Sequence, residues 1–199
     1  MKKPALDREA LFRLLRKRTP RNAEAFDRSL RERAERDLTV WVSDSSGFTR
    51  KTHEHGILQF LAVMTRCYGF VAPILERHGG KVYTQNADNI LAMFPEPVRA
   101  LRAAVAVQRR LRRYNSGKKD AEQFHLCIGI HCGRALELED DVFGDCVNVA
   151  AKVGEDLAGK GEILVTGEVS RRVKGRFRAT YTRSAELGGR GFELYRVGY

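Results

Sequence analysis

Two amphipathic segments of helical length, residues 55–77 and 98–114, most constrain the fold, because each lies between short apolar segments of strand length. The apolar positions of the first segment recur with a helical period and are Ile57, Phe60, Leu61, Met64 and Val71. Pro73 is expected to kink or split this helix, and Gly79-Gly80 to end it. The order of segments therefore indicates a helix-and-sheet domain rather than a helical bundle.

The strands are predicted from short apolar runs bounded by turn residues. They are residues 39–43, 81–84, 89–94, 124–131, 134–138, 162–165 and 192–197. Residues 147–157 are predicted to be helical, and a short helix and one further strand are expected before the last strand. This order predicts an α+β fold, with a ferredoxin-like βαββαβ core and helices packed on a mostly antiparallel sheet.

The first 37 residues differ from the rest because they are polar, basic and rich in arginine and glutamate. Residues 5–18 and 22–36 are predicted to be helices, with Pro20 between them. Apolar residues are few, so this segment is expected to dock on another surface or pair with its own copy. The sequence thus predicts an N-terminal basic helical segment, 1–37, and a domain at 38–199.

The net charge of +11 suits nucleic acid, an anionic membrane surface or a polyphosphate substrate. The densest basic run, residues 99–119, carries six arginines and two lysines without an acid. It is interpreted as the solvent-exposed face of a helix followed by a loop. No nucleic-acid-binding motif accompanies it, so nucleic acid is not expected as a partner.

No apolar run approaches the roughly 18 residues that a membrane span needs, and the charged N-terminus does not resemble a secretory signal. The cysteines form no C-x-x-C pair and are scattered at Cys67, Cys127, Cys132 and Cys146. Scattered cysteines are typical of buried thiols, so a cytoplasmic location without a membrane span is predicted.

Two carboxylates are placed where strands end. Asp44 follows strand 39–43, and Asp88 lies in the turn between strands 81–84 and 89–94. In a β-α-β-β order these two positions can meet at one sheet edge and form an oxygen-rich pocket suited to Mg²⁺. The backbone N–H groups after Asp44 could hold phosphate at a helix start. The alternative interpretation is that each aspartate only caps a helix or forms a turn.

Several further motifs, in one order, resemble the class III adenylate and guanylate cyclase catalytic domain. Residues 42–49 resemble its opening D-x-x-G-F-T motif. The other similar stretches are GG at 79–80, ADNILAMF at 87–94, IGIHCGR at 128–134, FGDCVNVAAK at 143–152, GEILV at 161–165 and FELY at 192–195. The resemblance spans about residues 39–197 and leaves the N-terminal segment outside it.

The resemblance implies a cyclase that converts a nucleoside triphosphate, with ATP preferred, into a 3′,5′-cyclic nucleotide. It implies a homodimer whose two active sites are shared between subunits. Two Mg²⁺ or Mn²⁺ ions per site would be held by Asp44, Asp88 and the carbonyl of Ser45. Gly47, Phe48 and Thr49 would contact the phosphates.

The remaining roles that the resemblance implies concern the base, the ribose and the reacting phosphate. Thr84 and Asp141 fall at the base-reading positions. Asn148 would orient the ribose, and Lys152 would face the reacting phosphate from the partner chain. Arg134 and Arg190 are candidate phosphate contacts.

Three positions depart from the family pattern: Thr84 replaces a lysine, Ala87 a glycine and Lys152 an arginine. Thr84 can donate or accept, so it discriminates between bases less than lysine does. Lys152 keeps the charge but loses the planar fork that matches phosphate oxygens. These departures leave open a catalytically silent module for dimerisation or nucleotide sensing, and a cyclase for GTP or a pyrimidine triphosphate.

Overall fold

The computed structural model describes residues 6–86 and 88–199, except for the side chain of Asn86. The departure at Ala87 lies outside the described residues. The helices are α1 Arg8–Leu15, α2 Ala23–Ala34, α3 Phe48–His55, α4 Ile57–Arg77, α5 Pro97–Asn115, α6 Asp145–Ala151 and α7 Gly167–Arg172. A 3₁₀ turn covers Asp120–Glu122, and a π-helical segment, Lys152–Leu157, continues α6.

The strands are β1 Glu35–Ser45, β2 Lys81–Asn86, β3 Asn89–Phe94, β4 Leu126–Glu137, β5 Val142–Phe143, β6 Ile163–Thr166, β7 Ala179–Leu187 and β8 Arg190–Val197. They form one sheet in the order β2-β3-β1-β4-β6-β8-β7, and β5 pairs with β4. Only the β4–β6 pairing is parallel among these described strands. The predicted α+β fold with a mostly antiparallel sheet is therefore confirmed.

Strand β1 lies inside the sheet, between β3 and β4, and contributes side chains to both faces, because successive residues of a strand point in opposite directions. Trp41 is fully buried in the main core, which α4 and α5 cover. Val40 and Val42 belong to a second cluster together with Cys146 and Ala150 of α6. Helix α6 therefore covers the opposite face from α4 and α5, and both faces are buried around β1.

Helix α4 is the one described helix that is long and apolar enough, by length and composition alone, to cross a membrane. Its residues Cys67, Val71 and Leu75 have no exposed surface and pack in the main core. Of the apolar stripe predicted for this segment, Phe60 and Val71 are buried and Met64 packs against the core, but Ile57 and Leu61 are exposed, so the prediction holds only in part. Pro73 lies inside the helix without splitting it.

Several predicted boundaries are wrong because strand pairing and glycine geometry override local sequence signals. Residues 124–131 and 134–138 do not form separate strands, since β4 runs through Gly133 and pairs with β1 from Leu126 to Leu136. The predicted helix at 22–36 ends at Ala34, where β1 begins. Gly56, with φ of 84°, separates α3 from α4, so the predicted helix at 55–77 begins two residues later.

The N-terminal helices pack on the loop that follows β4. Leu6, Leu11 and Ala34 form a buried cluster with Leu138, and the Glu139 backbone N–H donates to the Leu6 carbonyl over 2.9 Å. The expectation that this segment docks on another surface is met within the chain itself. The division into 1–37 and 38–199 stays a prediction.

Gly129 allows the end of α6 to lie directly against β4. A Cβ atom at this position would lie 2.2 Å from the backbone nitrogen of Gly154 and 2.6 Å from the Ala150 carbonyl oxygen. Backbone atoms cannot rotate away, so we expect Gly129→Ala to destabilise the fold by about 3 kcal/mol, near the upper end for overpacking. Thermal unfolding should show a melting temperature lower by roughly 6–12 °C.

The matched control is Gly191→Ala, whose added Cβ would meet no atom within 4 Å. Its melting temperature should stay close to that of the unmodified protein. Equal melting temperatures for the two variants would contradict the close approach at Gly129.

Candidate active site

The fold brings together the two aspartates predicted to hold metal. Asp44 lies one residue before the end of β1, and Asp88 lies in the turn between β2 and β3. Ser45 donates from its hydroxyl to Asp88 Oδ2 over 2.7 Å. Burial, together with the negative charge of Asp88, raises the pKa of Asp44 to about 7. The two carboxyl groups therefore form one electrostatically coupled pair.

Glu155 adds a third acid that the sequence did not identify. Asn89 donates from its side-chain nitrogen to Glu155 Oε1 over 3.1 Å. Burial raises the pKa of Glu155, and Asp156 and Asp88 raise it further. Glu155 lies near Asp88 because the π-helical segment continues α6 toward the pair. It follows the last motif residue, Lys152, so no sequence motif identifies it.

Tyr68 is a second residue that the sequence did not identify. Its side chain is 3% exposed, and its hydroxyl has no hydrogen-bond partner among the described residues. Burial raises the pKa of Tyr68, and the charges of Asp88 and Asp44 raise it further. Tyr68 therefore remains a neutral phenol near the pair, and helical periodicity alone predicts only a core position for it.

The carboxylate pair fits a hard divalent cation. In the part of the chain that the structure describes, neither Asp44 nor Asp88 forms an ion pair with a basic side chain. Two half-buried carboxylates without a cationic partner leave a negative charge, which a divalent ion bound through oxygen would balance.

A separate group of Glu54, His55 and Asp120 also places possible ligand atoms within 4.8 Å of one another. Arg50 already contacts two of these side chains, Glu54 over 2.6 Å and Asp120 over 2.9 Å. Arg50 therefore balances the charge of the acids in this exposed group. The Asp44–Asp88 pair has no such basic partner among the described residues.

The predicted phosphate-binding turn lies directly after β1. Gly47 adopts a φ of 84° and precedes α3, whose first turn has no side-chain cap. Phe48 packs edge-on against Phe60 with ring centroids 4.8 Å apart, while Thr49 is exposed. Phe48 thus anchors the turn in the core, and the start of α3 offers backbone N–H groups without a side-chain cap, as a phosphate site needs.

The two predicted base-reading residues lie on different elements. Thr84 is half-buried on β2, next to a register shift in its pairing with β3. Asp141 lies before β5, where its Oδ1 accepts from the Val142 backbone N–H over 2.8 Å and Arg8 lies 3.6 Å from its Oδ2. No hydrogen bond joins Thr84 to Asp141 within the described residues.

The predicted ribose and phosphate residues are not joined to the aspartate pair within one chain. Asn148 is exposed on α6, and Lys152 donates to Asp156 over 2.8 Å. Among the described residues, no hydrogen bond or ion pair connects Asn148 or Lys152 with Asp44 or Asp88.

The two candidate phosphate arginines are exposed and lie on separate strands. Arg134 on β4 is 3.4 Å from Glu35, and Arg190 on β8 is 3.4 Å from Asp145. In both ion pairs the arginine side chain is exposed to solvent, so breaking either pair costs little free energy. Either guanidinium is therefore free to exchange its carboxylate partner for a phosphate.

The fold and the aspartate pair match what the motif resemblance implied, and comparison with known proteins identifies the class as that of the class III nucleotidyl cyclases. The family model for the adenylate and guanylate cyclase catalytic domain matches residues 31–197. The chain therefore belongs to the adenylate and guanylate cyclase catalytic domain family, as the motifs predicted.

Relatives and solved structures include both adenylate and guanylate cyclases. The putative adenylate cyclase 3 of Rhizobium meliloti is 27% identical over 69% of this chain and 23% of its own length. The structure of the guanylyl cyclase Cya2 is 20% identical, with a TM-score of 0.73 over 82% of this chain and 92% of that one. The adenylyl cyclase CyaB of P. aeruginosa is 20% identical, with a TM-score of 0.72 over 83% and 95%.

The chain spans between 16% and 27% of the length of the curated relatives it matches. The similarity thus concerns the catalytic domain alone.

Proposed function

We propose that this domain is an active cyclase that converts a nucleoside triphosphate, preferably ATP, into its 3′,5′-cyclic nucleotide and pyrophosphate. The observation that carries the proposal is the half-buried pair of Asp44 and Asp88, which has no cationic partner among the described residues. A structural role would favour a neutralised pair, whereas a metal-dependent enzyme needs the charge.

Asp44, Asp88 and the carbonyl of Ser45 would hold two Mg²⁺ or Mn²⁺ ions in each site. When bound, the ions activate the ribose 3′-hydroxyl and neutralise the triphosphate. The backbone N–H groups of Gly47, Phe48 and Thr49 hold the phosphates in line, since positioning and charge neutralisation provide most of the catalysis in phosphoryl transfer.

The rest of the site comes from a second copy of the chain. We assign Asn148 to the ribose and Lys152 to the reacting phosphate, both from the partner, with Arg134 and Arg190 as further phosphate contacts. This assignment is supported by the single described chain, in which no hydrogen bond or ion pair joins these side chains to Asp44 or Asp88. A homodimer with two shared sites brings the two halves together.

The preference for ATP rests on Asp141, because a carboxylate accepts a hydrogen bond from the adenine amino group. Thr84 can donate or accept and adds little discrimination, so GTP and pyrimidine triphosphates are weaker alternatives. The four cysteines are free and buried, which supports a cytoplasmic location.

The test is incubation of the purified dimer with Mn²⁺ and each of the four nucleoside triphosphates, followed by chromatography of the products. We expect cyclic AMP and pyrophosphate in equal amounts, and a slower reaction with GTP. Absence of any cyclic product from a protein shown to be dimeric would reject the proposed activity.

Metal binding should depend on pH through Asp44. The folded-state pKa of this carboxyl is raised to about 7 in the metal-free protein. Below that pH the folded state holds a proton, so stability without metal should fall as pH rises from about 4 to 7. A cation must displace this proton, so Mn²⁺ should raise the melting temperature more at pH 8 than at pH 6.

The measurement is thermal unfolding with and without Mn²⁺ at the two pH values. The control is Asp44→Asn, which does not titrate and should lose the pH dependence of the metal effect. An equal Mn²⁺ effect at both pH values in the unmodified protein would contradict the assignment.

A second candidate function is a catalytically silent module for dimerisation or nucleotide sensing. The observation that favours it is the contact of Lys152 with Asp156 over 2.8 Å, which engages the ammonium group proposed for the reacting phosphate. Nucleotide binding without turnover would support this alternative.

Lys152→Arg distinguishes a slow enzyme from a silent one. Arginine offers a planar fork to the phosphate oxygens, so we expect kcat to rise about tenfold while KM changes little. Steady-state kinetics with ATP give both constants. A variant that binds nucleotide but still forms no product would favour the silent module.

A further inference from the structure

A groove between the end of α4 and the outer face of α5 is lined mainly by basic side chains. These are Arg77, His78, Arg102, Arg109, Arg110 and Arg113. No acidic residue lines this groove, whose volume is about 580 Å³. We call it the arginine groove; none of its residues belongs to the proposed active site.

The floor of the arginine groove is apolar. Ile74 is buried there, and Phe70, Val105 and Phe177 are partly exposed. The guanidinium of Arg110 lies 4.4 Å from the centre of the Phe70 ring and covers that face. The groove thus combines a basic rim with an apolar base.

The rim charges are not balanced within the described part of the chain. Arg77, Arg102, Arg109 and Arg113 form no ion pair there. Elsewhere arginines do find acids, as Arg18 does with Asp27 over 2.7 Å. From the sequence, the basic run at 99–119 is interpreted as the solvent-exposed face of a helix and a loop. Four of its arginines instead line a concave surface with uncompensated charge, namely Arg102, Arg109, Arg110 and Arg113.

We propose that the arginine groove binds an acidic amphipathic helix of a partner protein. Carboxylates on one face of such a helix would pair with the rim, and its apolar face would contact the floor. Arg102 and Arg113 are separated by roughly 16 Å along α5 at 1.5 Å per residue, which matches about three turns of a partner helix. This proposal goes beyond the cyclase activity and does not depend on it.

Charge and shape disfavour the other polyanions. The phosphate backbone of a nucleic acid would gain nothing from the apolar floor, and Arg110 covers the aromatic face on which a base could stack. A flat anionic membrane would contact the rim without reaching the floor. A helix satisfies both parts of the groove.

The test uses a synthetic peptide of about 15 residues, with glutamates on one helical face and leucines on the other. A permuted peptide of the same composition is the first control. Binding is measured by fluorescence anisotropy near physiological salt, and in parallel with a short single-stranded DNA and with vesicles containing phosphatidylserine. We expect the amphipathic peptide to bind at least about tenfold more tightly than the permuted one.

The variant combining Arg102→Ser, Arg109→Ser and Arg113→Ser should weaken peptide binding by about tenfold or more, since it removes three charge pairs. The matched control combines Arg16→Ser, Arg21→Ser and Lys174→Ser, which are exposed and lie outside the groove. It loses the same charge and should bind within about twofold of the unmodified protein.

Equal affinity for the two peptides, or equal loss in the two variants, would overturn the proposal. So would a groove-dependent binding of DNA or vesicles that exceeds binding of the peptide.

Discussion

Replacing either metal-site aspartate by asparagine should reduce turnover by about a thousandfold while leaving the fold intact. Asp44→Asn and Asp88→Asn each remove a proposed metal ligand, a loss that the nearby acid Glu155 is not expected to make good because it is not among the proposed ligands. Metal-based charge stabilisation is worth several kcal/mol in the transition state. Because Asp44 is half-buried with a pKa raised to about 7, its neutral replacement should not destabilise the metal-free protein at pH 8. Steady-state rates and thermal unfolding measure the two effects separately.

Asp27→Asn is the control for these substitutions. Asp27 pairs with Arg18 in the N-terminal segment and lies outside the proposed site, so turnover should be unchanged. If Asp44→Asn or Asp88→Asn kept near-normal rates at low Mn²⁺, the metal assignment would be wrong.

Mixing two inactive variants should restore activity. In a shared site, Asp44 and Asp88 come from one subunit, and Asp141, Asn148 and Lys152 come from the other. Asp44→Ala and Asn148→Ala homodimers should then both be inactive. A heterodimer has one site with both lesions and one with none, so it should recover toward half the normal rate, as two-fold symmetry requires.

The measurement is cyclic nucleotide formation as a function of mixing ratio, after subunit exchange has been shown with differently labelled chains. The control mixture combines Asp44→Ala with Asp88→Ala. Both lesions fall on the same half of the site, so every site in that mixture carries a lesion and no recovery is expected. A site built within one chain predicts no recovery in either mixture.

Much of the core was predictable because it depends on local periodicity and on the order of elements. The stripe of α4 predicted a core helix, and the β-α-β-β order predicted that Asp44 and Asp88 would lie at one edge. Hydrophobic spacing and strand ends carry this information in the sequence itself. The family resemblance then gave the fold as a whole.

Other features depend on contacts between distant residues and have no local signal. Gly133 suggested a strand end, but the pairing of β4 with β1 carries the strand through it. Glu155 and Tyr68 come close to the aspartates only through the π-helical segment and the packing of α4. The roles proposed for Asn148 and Lys152 would involve a second chain, so their partners are not fixed by the sequence or by one subunit.

The pairing of β1 on both sides limits how a signal from the N-terminal helices could reach the metal site. β1 begins directly after α2 and ends at the sheet edge that carries Asp44 and Asp88. Its register is fixed on both sides, since Ser43 lies opposite Ile90 of β3 and opposite Ile128 of β4. A slip of one residue would turn Asp44 to the other face, and a slip of two would move it about 7 Å. The pairing on both sides therefore keeps β1 from sliding along its own axis. In the proposed homodimer, an input at the N-terminal helices is therefore expected to tilt one subunit against the other rather than to slide Asp44 along the sheet.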